Sequence, residues 1–170
     1  MGTGLNIKDT IGYQLITDFY GDGCANRSGV PLMNHINEGI TILDRIGAEI
    51  EAQEAFATHP LFQNDDDLSK NFALISKLDK KIVALSFEYR NVANRFLTQH
   101  MPKKLHEIKL SPIVEVNQML IADKVQNRKD FLLYHFGTHQ KSDTLDIYFK
   151  LWLSALNISE ERYQNLIEGL

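Results

Sequence analysis

The chain has 170 residues, enough for one domain with a sizeable core. Lysine and arginine total 18 against 22 aspartates and glutamates, and the net charge of −4 argues against a nucleic-acid-coating protein, because phosphate-backbone binding needs a positive surface. No apolar run approaches the roughly 18 residues of a membrane span, and we expect no signal peptide. Cys24 is the single cysteine, so an internal disulfide is impossible and a reducing cytoplasm is the expected compartment.

Helical periodicity dominates the first part of the chain. Apolar residues recur every four positions over residues 7–19, and a glycine-rich turn ends this first predicted helix. The same spacing predicts a second helix over about 32–46, with Gly47 as its C-cap. A third helix is predicted over about 48–59, because Pro60 disfavours helical backbone at the residue before it.

The rest of the chain is also predicted to be helical. A long periodic stretch starts at the acidic run 65–67 and reaches about residue 97, and 98–110 is predicted as a connection. A further helix should reach about Phe131, and the predicted caps of the last three helices are Ser111 with Pro112, then Ser142 or Asp143, then Ser159. Since no run alternates between apolar and polar residues, the sequence predicts one all-α domain over residues 1–170, a compact multi-helix bundle.

Three segments, in sequence order, carry a resemblance to a known family. Residues 27–35 are R-S-G-V-P-L-M-N-H, residues 57–59 are A-T-H, and residues 120–130 are L-I-A-D-K-V-Q-N-R-K-D. Together they resemble the HD-domain metal-dependent phosphohydrolases, and most of all the RelA/SpoT-type branch that hydrolyses the alarmone ppGpp. The resemblance covers about residues 6–131 and implies an HD-like helical bundle with a nucleotide phosphohydrolase activity.

The resemblance also implies roles for the residues at the matching positions. The implied metal ligands are His35, His59 and Asp123, and the implied nucleotide-binding residues are Arg27, Lys124, Asn127 and Arg128. These residue types suit that chemistry, because two histidines and a carboxylate can hold one divalent ion, Mn²⁺, Fe²⁺ or Zn²⁺, with open positions. Cationic side chains, in turn, form strong charge-assisted hydrogen bonds to phosphate.

One segment departs from the family pattern. Where the family has H-D-x-x-E-D, this chain has His59-Pro60-Leu61-Phe62-Gln63-Asn64. Pro60 has no ligand atom, and the amides of Gln63 and Asn64 can orient water but cannot accept a proton at neutral pH. General-base assistance contributes roughly 10²–10⁴-fold to a rate. The nearby carboxylates of Asp65 and Asp66 are therefore candidate catalytic replacements.

Functions of different classes follow from this pattern. The leading hypothesis is a metal-dependent phosphohydrolase acting on a phosphate or pyrophosphate linkage of an alarmone-like or other (deoxy)nucleotide. The alternative, favoured by the replaced motif, is a degenerate HD-fold protein that binds or sequesters a nucleotide without hydrolysing it. The third hypothesis is a purely structural helical adaptor. The expected partner is a small-molecule nucleotide, with no nucleic acid and no membrane, and the oligomeric state stays open.

The remaining histidines and aromatic residues are given structural roles. Surface or core positions are predicted for His100, His106, His135 and His139. The cluster of Tyr148, Phe149 and Trp152 is predicted to lie in the core.

Overall fold

A computed structural model describes residues 6–95 and 103–170 of the chain. Within these ranges the fold is all-α, and the helices are α1 Ile11–Tyr20, α2 Leu32–Arg45, α3 Ile50–Thr58, α4 Asp65–Asn71, α5 Lys80–Asn94, α6 Val114–Asp130, α7 Ser142–Ala155 and α8 Glu160–Ile167. One isolated bridge joins Cys24 and Pro31, and the described ranges contain no β-strand. The prediction of an all-α bundle is thus confirmed.

The starts of several helices follow the side chains that cap them. Thr10 accepts a hydrogen bond from the Tyr13 N–H and begins α1, so this helix is shorter than the apolar stripe from residue 7 predicted. Ser159 accepts from the Arg162 N–H and caps α8, as predicted. Ser111 accepts from the Ile113 N–H, but α6 itself begins two residues after Pro112.

The single long helix predicted over 65–97 is wrong. Asn64 caps the short helix α4, a 3₁₀ turn over Phe72–Lys77 follows, and α5 begins only after Asp79, whose side chain accepts from the Lys81 N–H. Two separate Asx caps thus start two helices where the apolar spacing alone suggested one. Of the predicted connection, residues 98–102 lie outside the described ranges, and Leu105–Glu107 form a 3₁₀ turn.

Helices α2, α3 and α6 meet at the centre of the core. Gly39 allows the closest approach, because an added Cβ atom would overlap the ring of Phe56 on α3. Tyr148, Phe149 and Trp152 are buried on α7, as predicted. None of the described helices combines the length and the apolar character needed to cross a bilayer.

Candidate metal centre and its pocket

Three side chains that are distant in sequence meet where α2, α3 and α6 pack together. His35 on α2, His59 at the end of α3 and Asp123 on α6 each present a ligand atom, and these atoms lie within 4.8 Å of one another. His35 Nε2 is 3.6 Å from Asp123 Oδ1. His59 is 3% exposed and Asp123 is 5% exposed, so the cluster sits at the inner end of a pocket.

Hydrogen bonds fix which nitrogen of each imidazole is basic. His59 Nδ1 lies 2.5 Å from the Phe56 carbonyl oxygen, which can only accept, so Nδ1 carries the proton. His35 Nδ1 lies 2.6 Å from Gln126 Oε1, which accepts in the same way. Nε2 is therefore the free basic nitrogen of both rings, the arrangement typical of metal-ligating histidines.

Gln126 is itself oriented by two carboxylates. Its Nε2 donates to Glu38 Oε2 at 3.0 Å and to Asp130 Oδ2 at 2.7 Å, and carboxylate oxygens only accept. The amide oxygen must then point at His35. Lys129 neutralises this end of the network through its ion pair with Glu38 at 2.7 Å.

Charged neighbours set the protonation state of Asp123. Burial opposes its ionisation, but the Lys124 ammonium at 2.8 Å, together with the two histidines, lowers the pKa of Asp123 to about 2. Asn127 also donates to Asp123 Oδ1 at 2.8 Å. Burial disfavours the charge of Lys124 as well, yet the Asp123 carboxylate raises the pKa of Lys124 above its usual value. Asp123 is consequently a carboxylate at neutral pH.

Burial has the opposite effect on His59. The loss of hydration, helped by neighbouring His35, lowers the pKa of His59 to about 4. The ring is neutral near pH 7, with its Nε2 lone pair available. A neutral imidazole beside an ionised carboxylate is the protonation state that a divalent metal requires.

The cluster opens into a cavity of about 560 Å³. The predicted functional residues that line this cavity are Arg27, His35, His59, Gln63, Asp123, Lys124 and Asn127. Pro60 also lines the cavity, and its side chain offers no ligand atom. The backbone carbonyl oxygen of Gln63 accepts hydrogen bonds from Arg90 Nε and Asn94 Nδ2, and these bonds fix the position of Gln63.

Asn64, Asp65 and Asp66, which the sequence offered as catalytic candidates, are placed away from the cavity. Asn64 Oδ1 accepts from the Asp67 N–H as the cap of α4, and Asp65 pairs with Arg90. Asp66 is exposed, and none of the three lines the cavity. The physical reason is the start of α4, which uses these polar residues as its cap and first turn.

Arg128 also departs from its expected position. Its guanidinium donates to Glu160 Oε2 at 2.8 Å, lies 4.2 Å from the centre of the Tyr163 ring, and does not line the cavity. Contacts with α8 therefore hold Arg128, although Lys124, one helical turn earlier, reaches the pocket. The structure thus does not bring Arg128 together with the other predicted nucleotide-binding residues at the cavity.

Sequence reasoning missed the role of Gln126, although it gave a usable signal, since it lies three positions after Asp123 and thus on the same side of α6. The apolar spacing placed Tyr89 on a structural face, and its ring centre lies 4.8 Å from that of His59. Burial, with the Asp123 charge, raises the pKa of Tyr89 well above its usual value. His135 and His139 line the outer part of the cavity. His106 is exposed, and His100 lies outside the described residues.

Comparison with known proteins found no family model, no curated protein and no solved structure that matches the chain. The HD-domain resemblance therefore stays a prediction that the residues carry.

Proposed function

We propose that the chain is a divalent-metal-dependent nucleotide phosphohydrolase that acts on a phosphate or pyrophosphate linkage of an alarmone-like or other (deoxy)nucleotide. One observation carries the proposal: His35, His59 and Asp123 converge, each presenting one ligand atom, with Nδ1 of both imidazoles bonded to an acceptor, the His59 ring neutral and the Asp123 carboxylate ionised. Three such ligands with open positions are typical of catalytic rather than structural metal sites.

The donor set fits Mn²⁺, Fe²⁺ or Zn²⁺. His35, His59 and Asp123 would hold the ion, and Lys124 and Asn127 would keep the Asp123 carboxylate oriented. A bound divalent ion supplies Lewis acidity, which polarises a phosphoryl oxygen and acidifies water. Because Pro60 replaces an oxygen ligand, we expect weaker metal binding than at a four-ligand site of the same type.

Two side chains at the pocket suit the phosphate part of a nucleotide. Arg27 is exposed at the cavity and forms no ion pair within residues 6–95 and 103–170. Lys124 contributes a second positive charge at the inner end, although Asp123 already neutralises it in part. Apolar and aromatic groups complete the lining, including Tyr20 and Phe149, and could take a sugar or base. A reducing cytoplasm is the proposed compartment.

A second function is supported by the positions of the carboxylates. Among the described residues of the cavity lining, these are Asp123, at the metal centre, and Asp130, which accepts from Gln126 and pairs with Lys129. Neither is a free general base, and Asp65 and Asp66 lie elsewhere. This favours, as the alternative, a protein that binds or sequesters a nucleotide without hydrolysing it.

Metal analysis combined with a nucleotide-turnover screen tests the proposal. We expect purified protein supplied with Mn²⁺ or Zn²⁺ to retain one ion and to release phosphate or pyrophosphate from at least one nucleotide. Asp123→Ala should lose both the ion and the turnover. Asp66→Ala, which removes an exposed carboxylate outside the cavity, is the matched control and should lose neither.

The other outcomes separate the alternatives. Retained metal with nucleotide bound but recovered intact would establish the binding function instead. Protein that holds neither metal nor nucleotide would leave only a structural helical role. Turnover that survives complete removal of metal would contradict the proposed mechanism.

A further inference from the structure

We infer that the chain has a second anion-binding subsite, outside the metal centre, which takes a phosphoryl group remote from the one at the metal. It is formed by Arg27 and by the turn that joins α6 to α7, above all His139 and Lys141. The inference deepens the proposed function and rests on it for the identity of the ligand as a nucleotide.

The first observation is that the metal pocket continues into an outer basin. A second cavity, of about 770 Å³, adjoins the first and shares Arg27, His135, His139 and Leu145 with it. A ligand at the metal centre that extends along this shared wall therefore comes into contact with these side chains. Each part alone has the volume of a small-ligand pocket, so the joint space has room for a molecule with charged groups at separated positions.

The second observation is the charge of the outer basin. Its lining carries Arg27, His135, His139 and Lys141 but, among the described residues, no carboxylate. The side chains of Arg27 and Lys141 form no hydrogen bond or ion pair within the described ranges, whereas most other basic side chains near the pocket are paired with acids. In a chain with a net charge of −4, this local excess of positive charge selects anions.

The third observation concerns the proton of His139. The Lys141 backbone N–H donates to His139 Nδ1 at 3.0 Å, so Nδ1 is an acceptor and the ring proton lies on Nε2. The His135 carbonyl accepts from the N–H groups of Thr138 and His139, and Ser142 Oγ accepts from the Gly137 N–H. The turn is thus tied by its own hydrogen bonds and presents an N–H donor at a set place.

Arg27 is presented by a second turn that is closed in a similar way. The Ala25 N–H donates to the Val30 carbonyl, and the Gly29 N–H donates to the Ala25 carbonyl, each at 2.8 Å. Gly29 has a φ of 70°, which lets the chain turn back tightly. The guanidinium from one turn and the imidazole N–H and ammonium from the other match the donors that phosphate prefers.

Two kinds of nucleotide carry a phosphoryl group remote from the one at the metal. In the first kind, this group is the far end of a 5′-polyphosphate chain. In the second kind, it is another phosphate on the other side of the sugar. Calorimetry with adenosine 5′-monophosphate, adenosine 3′,5′-bisphosphate and ATP separates them, performed once with Mn²⁺ and once with a chelator. We expect the wild type to bind at least one of the two larger anions about tenfold more tightly than the monophosphate, as one added charge-assisted contact provides.

The variant that tests the subsite is His139→Asn with Lys141→Gln. Asparagine keeps an acceptor for the Lys141 N–H but lacks the Nε2 donor, and the Lys141 side chain is exposed. We expect this variant to reduce the preference over the monophosphate to about twofold or less. The matched control is His106→Asn with Lys80→Gln, the same changes at exposed positions outside both cavities, and it should keep the wild-type preference.

Each outcome decides one of the two proposals. A wild type without any preference, or a preference that the double variant retains, would overturn the subsite and leave the metal proposal standing. A preference that depends on His139 and Lys141 in chelator, in protein that never retains metal, would support the subsite and overturn the metal chemistry.

Discussion

Gln126 shows how one buried side chain determines the chemistry of another. Its amide is oriented by Glu38 and Asp130, and its oxygen holds the proton of His35 on Nδ1. If this amide were turned around, an N–H group would face His35 and the basic nitrogen would be Nδ1 instead. The tautomer that suits metal binding is therefore a property of the whole network rather than of His35 alone.

We expect Gln126→Leu to weaken Mn²⁺ binding by about 10- to 100-fold, the usual cost of losing the partner that orients a metal-ligating histidine. Gln164→Leu is the matched control, because Gln164 is exposed on α8 and donates to Glu160. Metal titration of both variants provides the measurement. Equal affinities in the two variants would remove Gln126 from the role of orienting His35.

Arg128 illustrates a charge whose role is structural. Arg128→Glu should lower the free energy of unfolding by about 2–4 kcal/mol, because it breaks a partly buried ion pair and places a carboxylate beside Glu160. Nucleotide affinity should change little, since Arg128 does not line the cavity. Denaturant unfolding and calorimetry measure the two effects, and adding Glu160→Arg should recover part of the stability.

At the level of elements, the site depends on how closely α2 approaches α3. Gly39 lies against Phe56, and this contact holds His35 and His59 with their ring centres 5.5 Å apart. The ring centre of Phe56 is 5.5 Å from that of His35 and 4.9 Å from that of His59, so one aromatic side chain packs against both histidines. A change in helix spacing would therefore change the spacing of the ligands.

Gly39→Ala should destabilise the fold by about 1–3 kcal/mol, the usual cost of overpacking a dense core. Combining it with Phe56→Leu should recover part of this loss, because the smaller side chain frees space for the added methyl group. Chemical denaturation of the wild type, both single variants and the double variant measures the coupling. Strictly additive effects would show that the two positions do not compete for the same space.

The whole molecule has a pH dependence that comes from its buried histidine. The pKa of His59 is about 4 in the folded chain, below its ordinary value, so the unfolded chain binds more protons between these two values. The contribution of His59 to the free energy of unfolding is fully present above about pH 6.5 and is lost as the pH falls toward 4. The pKa of Asp123 is also lowered, so its contribution to the free energy of unfolding is lost below about pH 4.

In metal-free protein, we expect the free energy of unfolding to fall between about pH 6.5 and 4 with a slope contribution from His59 of up to about 1.4 kcal/mol per pH unit. His59→Asn should remove this contribution, because asparagine does not titrate. His106→Asn, at an exposed position, should leave the slope unchanged. Denaturant titrations across this range provide the measurement, and equal slopes in the three proteins would contradict the assignment.

The sequence by itself determined the all-α fold, the Ser159 cap of α8, and three residues that converge on one cluster. Periodic apolar residues and capping side chains act locally, and for this reason they can be identified along the chain. The predicted continuous helix over 65–97 failed because two local caps, Asn64 and Asp79, outweighed the apolar spacing.

Only the tertiary structure decided where individual side chains point. Lys124 and Arg128 lie one turn apart on α6, yet one faces the pocket and the other faces α8. Asp65 is close to His59 in sequence but is held by Arg90 from another helix. These outcomes, like the tautomer that Gln126 imposes on His35, depend on partners far away in sequence, and the spacing of residues along one chain carries no information about such partners.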